Sequence, residues 1–183
     1  MKRFAAVAAV VVVTTFSFPA SAELIGNSEG RYSNAITFQP IELFTGTMNI
    51  EYEHAFRQWF SLYGGLDFLA WRGVLAPGYD RSLVVGPEIG TRFYLFGNAP
   101  SGIWIGPYAS AAYVNNTVNG NSYSSFGWGL GAMAGFNLLI KRFVFSLGAG
   151  TGWIDHSTNP SGTYRVGYYG FVPRLRLAIG VAF

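Results

Sequence analysis

The sequence predicts an all-β fold: an eight-stranded antiparallel up-and-down barrel preceded by an N-terminal signal peptide. Three observations predict it. Large apolar residues alternate with small or polar ones in segments of about ten residues or more. The segments are even in number. The turns between them are mostly short at one end and longer at the other. The chain has 183 residues, 50% hydrophobic and 17% aromatic, with 11% charged and 24 glycines, and its mean hydropathy is +0.27. A soluble domain carries about 25% charged residues. Yet past the first segment no apolar run approaches the ~18 residues with which a helix spans a bilayer. The few charges exclude a disordered tail or a coiled coil. The absence of cysteine excludes a disulfide framework, a cysteine-ligated zinc site and thiol catalysis.

Residues 1–22 read as an address. Lys2 and Arg3 form a basic start, Phe4 to Val13 an unbroken apolar stretch, and Ala20-Ser21-Ala22 the small residues before a cleavage point. This is the three-part pattern of a secretory signal peptide. An anchor helix is the weaker alternative, because the apolar core is short and Pro19 interrupts it. Cleavage leaves 23–183 as one domain of 161 residues, with ten Lys and Arg against nine Asp and Glu. The basic character of the whole chain is thus partly a property of its leader. No cluster of cations suggests a nucleic-acid partner.

The eight segments are 32–43, 47–57, 59–71, 82–97, 102–115, 125–139, 142–155 and 169–183. The second places Met48, Ile50, Tyr52, His54 and Phe56 on one face, and the third Phe60, Leu62, Leu66 and Phe68. The fourth alternates Leu83, Val85, Ile89, Phe93 and Leu95 with Gly86, Glu88, Gly90, Arg92 and Tyr94. The sixth sets Phe126, Trp128, Leu130, Phe136 and Leu138 against Gly127, Gly129, Gly131 and Gly135, and the seventh repeats this from Phe143 to Trp153. Successive strand side chains point to opposite faces. Each segment therefore has one greasy face and one small or polar face. Pro40, Pro87, Pro107 and Pro173 fall inside these segments. Each removes a ladder donor, so bulges are expected, particularly at Gly86-Pro87 and Gly106-Pro107, or strands that start later than these bounds, and the first strand is the least regular. Short turns are expected near Arg57-Gln58, Asn98 to Ser101 and Lys141-Arg142, and longer loops at 72–81, 116–124 and 156–168.

A face of glycine, alanine and serine is a poor surface toward water and a good crowded interior. The opposite face carries almost no charge, which suits lipid. A closed barrel also satisfies every backbone polar group within hydrocarbon. Aromatics near the segment ends suit interfacial girdles: Phe56, Trp59, Phe60, Phe96, Trp104 and Phe143 at the short-turn end, and Trp71, Tyr113, Phe126, Trp128, Trp153 and Tyr169 at the other. Parity places Glu51, Glu53, Asp67 and Glu88 inside with Arg92, Arg174 and Arg176. Isolated buried charges are costly and eight strands leave a nearly filled interior. A salt-bridged plug is therefore expected, with a narrow path for small or apolar solutes as the alternative.

Arg174 to Phe183 alternates apolar residues and ends on an aromatic, and Asn49-Ile50-Glu51-Tyr52-Glu53 is accompanied by Gly90-Thr91-Arg92-Phe93-Tyr94-Leu95. In these features the chain resembles small bacterial outer-membrane proteins of the OmpA, OmpX and OmpW type and uncharacterised outer-membrane β-barrel families. The resemblance implies a transmembrane barrel in the bacterial outer membrane, in contact with its lipid and lipopolysaccharide and inserted by the outer-membrane assembly machinery. Leu175, Leu177, Ile179, Val181 and Phe183 would form the assembly signal. The resemblance marks the class and not the activity; the leading expectation is a structural, envelope or surface-interaction role rather than an enzyme. Some barrels of this size modify lipid A, and Asp155-His156-Ser157 is the one segment that could carry such chemistry. The related His-x-Ser-Asn pattern is displaced here, as His156-Ser157-Thr158-Asn159, which reads as a polar loop. His54 reads as interfacial. No phosphate loop, dinucleotide fingerprint or zinc spacing is present, so no cofactor and no metal are expected. Tyr79, Tyr123 and Tyr164 are loop residues available to a surface partner.

Overall fold

A computed structural model of the chain describes residues 32–40, 47–71, 81–158 and 166–183. The signal peptide reading, the turn at 44–46, the loop at 72–80 with Tyr79, and residues 159–165 with Asn159 and Tyr164 lie outside these residues, as does the side chain of Trp71. Eight strands follow one another: β1 (Asn34–Phe38), β2 (Thr47–Arg57), β3 (Phe60–Trp71), β4 (Arg81–Asn98), β5 (Ser101–Val118), β6 (Asn121–Ile140), β7 (Phe143–Thr158) and β8 (Val166–Ala182). Each pairs antiparallel with the next, and β1 also pairs with β8, so the sheet closes on itself.

Period-two sequence becomes period-two burial. β7 alternates exposed Phe143, Phe145 and Leu147 with buried Val144, Ser146 and Gly148. β6 does the same from Phe126 to Ile140. The small and polar face points to the axis and the greasy face points out. Three apolar layers occupy the axis among the polar groups: Ala35, Leu139, Val144 and Ala182 at the short-turn end, Tyr63, Tyr94, Trp104, Tyr108 and Met133 in the middle, and Val84, Ala112 and Val114 beyond them.

Four sequence expectations are corrected. β1 is five residues long rather than twelve. It ends before Pro40, which has no N–H for the ladder. The 116–124 loop is a two-residue turn: Asn119 and Gly120 both have positive φ (51° and 78°), the geometry that an Asn-Gly pair adopts in tight hairpins. The flanking polar residues extend β5 and β6, and Tyr123 pairs with Asn116 as a strand residue. Trp104 does not join a girdle. It is 2% exposed inside the ring, because its parity in β5 opposes that of Ile103 and Ile105.

The fourth correction concerns the prolines. Pro87, Pro107 and Pro173 are exposed on the outer face. The β4–β5 ladder lapses at Gly86-Pro87 and again opposite Gly106-Pro107, but the register is identical on both sides of each lapse. Instead of bulging, the strands press together. An ideal Cβ on Gly86 would stand 1.9 Å from the Ala111 carbonyl oxygen, and one on Gly106 would stand 1.7 Å from that of Thr91. Only glycine permits that approach. The register shifts that do occur lie between Ala55 and Arg57 in β2 and between Tyr94 and Phe96 in β4, at the short-turn end.

Gly106→Ala therefore forces backbone against backbone with no rotamer to relieve it. It is expected to destabilise the barrel by about 3 kcal/mol. Gly64→Ala, whose added methyl meets nothing closer than 3.9 Å, is expected to stay within about 0.5 kcal/mol of wild type. Urea midpoints of the refolded proteins in detergent measure both.

Candidate functional site

The axis of the barrel gathers the charged residues that parity places inside. Glu51 and Glu53 are two apart on β2, so both project inward. Arg92 projects from β4, and Arg174 and Arg176 from β8. The Glu51 carboxylate is the centre. Arg92 Nη2 donates to its Oε1 at 2.5 Å, Arg176 Nη2 to the same oxygen at 3.0 Å, and Arg176 Nη1 to Oε2 at 2.7 Å. Arg92 Nη1 donates to Glu53 Oε2. Glu53 Oε1 also accepts from Ser61 Oγ and Tyr94 Oη, both at 2.6 Å. Arg176 Nε donates to Ser146 Oγ at 2.9 Å and its Nη2 to Thr37 Oγ1 at 3.2 Å. Glu51, Glu53, Arg92 and Arg176 are each at most 3% exposed. At such burial a charge persists only when paired and hydrogen-bonded, and these four pair with each other and bond to Ser61, Tyr94, Ser146 and Thr37, leaving Arg92 Nε without a partner among the described residues.

A second group sits toward the long-loop end. Arg174 pairs with Glu88, and Tyr63 Oη donates to Glu88 at 3.3 Å. Asp67 accepts from Asn49 Nδ2 at 2.6 Å, and Asn49 Oδ1 in turn accepts from Gln39 at 2.7 Å. Arg174 is 19% exposed at its side chain and Asp67 is half-buried, so this group borders water. The Arg92 guanidinium carbon lies 4.4 Å from the Tyr63 ring centroid and 4.7 Å from that of Trp104. The Arg174 carbon lies 4.6 Å from Tyr108. Aromatic faces thus cover the cations where carboxylates do not reach.

The aromatic members are absent from the charge reading of the sequence. A signal for them was present in the glycines. Tyr63 stands opposite Gly90, Tyr108 opposite Gly131, and Trp104 opposite Gly135. A Cβ on Gly90 would lie 2.4 Å from the Tyr63 ring, one on Gly131 2.6 Å from Tyr108, and one on Gly135 2.6 Å from Trp104. An inward glycine thus marks the seat of a large ring on the next strand. Asn137 completes the layer, accepting from Trp104 Nε1 at 2.9 Å and donating to Tyr94 Oη at 2.9 Å.

The remaining sequence candidates fall elsewhere. Leu175, Leu177, Ile179, Val181 and Phe183 are all exposed on the outer face of β8. The Phe183 backbone exchanges two hydrogen bonds with Asn34, at 2.9 and 3.0 Å. His54 Nδ1 contacts Asn34 Oδ1 at 2.7 Å, and its ring meets Phe56 edge-on. Within Asp155-His156-Ser157, the serine hydroxyl donates to Asp155 Oδ1 at 2.5 Å. Contrary to the loop expected from 156 onward, His156, Ser157 and Thr158 are strand residues of β7 paired with β8, and His156 lies on the opposite face, against Gly127. Strand alternation thus separates the histidine from the serine–aspartate contact. Among the described residues no group of three or more His, Asp or Glu could hold a metal ion. Comparison with protein-family models, with curated proteins and with solved structures returned no match.

Arg92→Met would leave Glu51 without one of its two arginines and Glu53 without its cation. A loss of about 3–5 kcal/mol is expected, read from detergent urea unfolding. Adding Glu53→Gln is expected to recover part of that loss. Arg174→Met, which breaks one pair bordering water, is expected to cost less than half as much as Arg92→Met.

Proposed function

We propose that the protein is an integral outer-membrane β-barrel with a structural or surface-interaction role in the Gram-negative envelope, its lumen shut by the axial ion pairs. The observation that carries this reading is the outer surface. Large apolar side chains are exposed on every strand, among them Ile36, Ile50, Leu66, Ile89, Ile105, Leu130, Leu147 and Leu175. By strand parity, the outward positions of the described strands carry no Lys, Arg, Asp or Glu except Arg57 at the short-turn end and Arg81 and Asp155 near the other. An exposed apolar patch of a soluble monomer spans only a few hundred Å². A belt that encircles the molecule needs an apolar solvent.

The dimensions agree. Exposed residues run ten steps along each of several strands, from Ile103 to Tyr113, Phe126 to Phe136, Phe143 to Trp153 and Phe171 to Val181. At about 3.3 Å per residue and a tilt of ~40° this climbs roughly 25 Å, the height of a barrel's apolar band. Short turns at one end support that end as the periplasmic one. On this reading residues 1–22 direct export, outer-membrane lipid and lipopolysaccharide contact the belt, and the assembly machinery reads the outward residues of β8.

The full chain without its leader is expected to migrate differently before and after boiling on a detergent gel, to give an all-β circular dichroism spectrum, and to float with liposomes. Free solubility without detergent would overturn the reading. In planar bilayers wild type is expected to give no steady conductance, and step-like currents would favour the narrow channel instead. Incubation with lipid A is expected to leave its acyl chains unchanged by mass spectrometry. Acyl release or transfer would move the assignment to a lipid-modifying enzyme.

A further inference from the structure

The two register shifts among the described residues lie at the short-turn end, the one in β2 beside a groove. The shift in β2 sets Phe56 and Arg57 outward side by side, and the shift in β4 does the same for Leu95 and Phe96, all four exposed. Bulges of this kind re-aim side chains at barrel rims. The β2 shift borders a groove of about 480 Å³ that reaches across to the turn after β4, lined by Tyr32, Phe56, Arg57, Gln58, Trp59 and Asn98 among others. Its base is held by backbone. Ala99 N–H donates to Gln58 O at 2.7 Å, Tyr94 N–H to Trp59 O at 2.8 Å, and Ala55 N–H to Ser33 O at 2.7 Å.

The groove and its border have two chemical halves. Phe56 and Trp59 line it, and with Phe60 and Phe93 beside them they form a shelf of rings with neighbouring centroids 5.4–6.3 Å apart. Arg57, Gln58 and Asn98 supply a cation and two amides at its edge. The described residues of this end also include Lys141 and Arg142 and no acidic residue. The described residues of the rim are therefore net positive.

We propose that the groove seats an anionic glycerophospholipid of the adjoining leaflet, with its phosphate on Arg57 and an acyl chain along the aromatic shelf. The inference rests on the membrane reading above. A guanidinium matches a phosphate with two parallel N–H donors. The amides of Gln58 and Asn98 suit the glycerol and ester oxygens. A zwitterionic head would bring its ammonium into the same positive field and is disfavoured.

The full chain without its leader, purified in neutral detergent, would be titrated with phosphatidylglycerol or phosphatidylcholine of equal chain length and followed by native mass spectrometry. Wild type is expected to retain phosphatidylglycerol preferentially. Arg57→Gln is expected to weaken that retention about tenfold, the loss of one charge-assisted contact. Arg142→Gln removes the same charge from another turn of the same end and is expected to stay within about twofold of wild type. Equal retention by the Arg57→Gln and Arg142→Gln proteins, or equal retention of the two lipids, overturns the proposal. Failure of the wild-type chain to float with vesicles of either lipid would overturn the membrane reading itself, a different result from lipid-independent flotation.

Discussion

The Glu51 carboxylate takes three hydrogen bonds from two arginines that come from opposite directions around the ring, Arg92 from β4 and Arg176 from β8. One anion therefore ties three strands, and through Thr37 a fourth. This matters most where the wall is thinnest. β1 pairs over only five positions with β2 and four with β8. Closure of the ring rests on that short ladder, on the Phe183–Asn34 backbone exchange and on the Arg176–Glu51 pair that bridges β8 to β2 over β1. In a dry interior each of these charges is tolerable only while its partners stay in place. The network thus specifies one arrangement of β2, β4 and β8.

The interior is asymmetric around the axis. β2, β4 and β8 contribute the ions apart from Asp67 of β3, β3 to β5 the large rings, and β6 and β7 a wall rich in glycine. Two continuous rows show the match. One runs Tyr63, Gly90, Tyr108, Gly131 and Gly152, and the other Tyr94, Trp104, Gly135, Gly148 and Arg176. Tyr63, Tyr108 and Trp104 each lie over the glycine of a neighbouring strand, where even a methyl group would collide. Glycine weakens an isolated strand. Here a packed aromatic face covers it and restores the contact it lacks.

Irregularity is distributed by consequence. The prolines of the central wall lie on the outer face and interrupt hydrogen bonds without shifting register, because the glycine before Pro87 and before Pro107 lets the backbones close up. A shift there would turn every later side chain to the wrong face. The two actual shifts lie within a few residues of the short turns, where little strand remains to be displaced. They turn Phe56 with Arg57, and Leu95 with Phe96, toward the outside. Regularity in the wall and irregularity at the rim thus follow from the same parity constraint.

Much of this was legible in the residues alone. Period two determined which side chains face in, from Glu51 and Glu53 to the outward Leu175–Phe183 series. It also located β2 to within a residue, because a strand side chain has only two directions available. The Asn119-Gly120 turn was equally legible, since that dipeptide favours the positive φ of a tight hairpin, but the surrounding polar residues read as a loop. Partners were not legible. That Arg176 meets Glu51, 125 positions away, while Arg174 meets Glu88, depends on the stagger of β8 against β1 and β2, which alternation leaves undetermined. The inward placement of Trp104 and the groove at Arg57 likewise follow from ring closure and from where the register slips. Local sequence decides which face a side chain takes, and only the closed sheet, through its shear, decides which side chains meet across the axis.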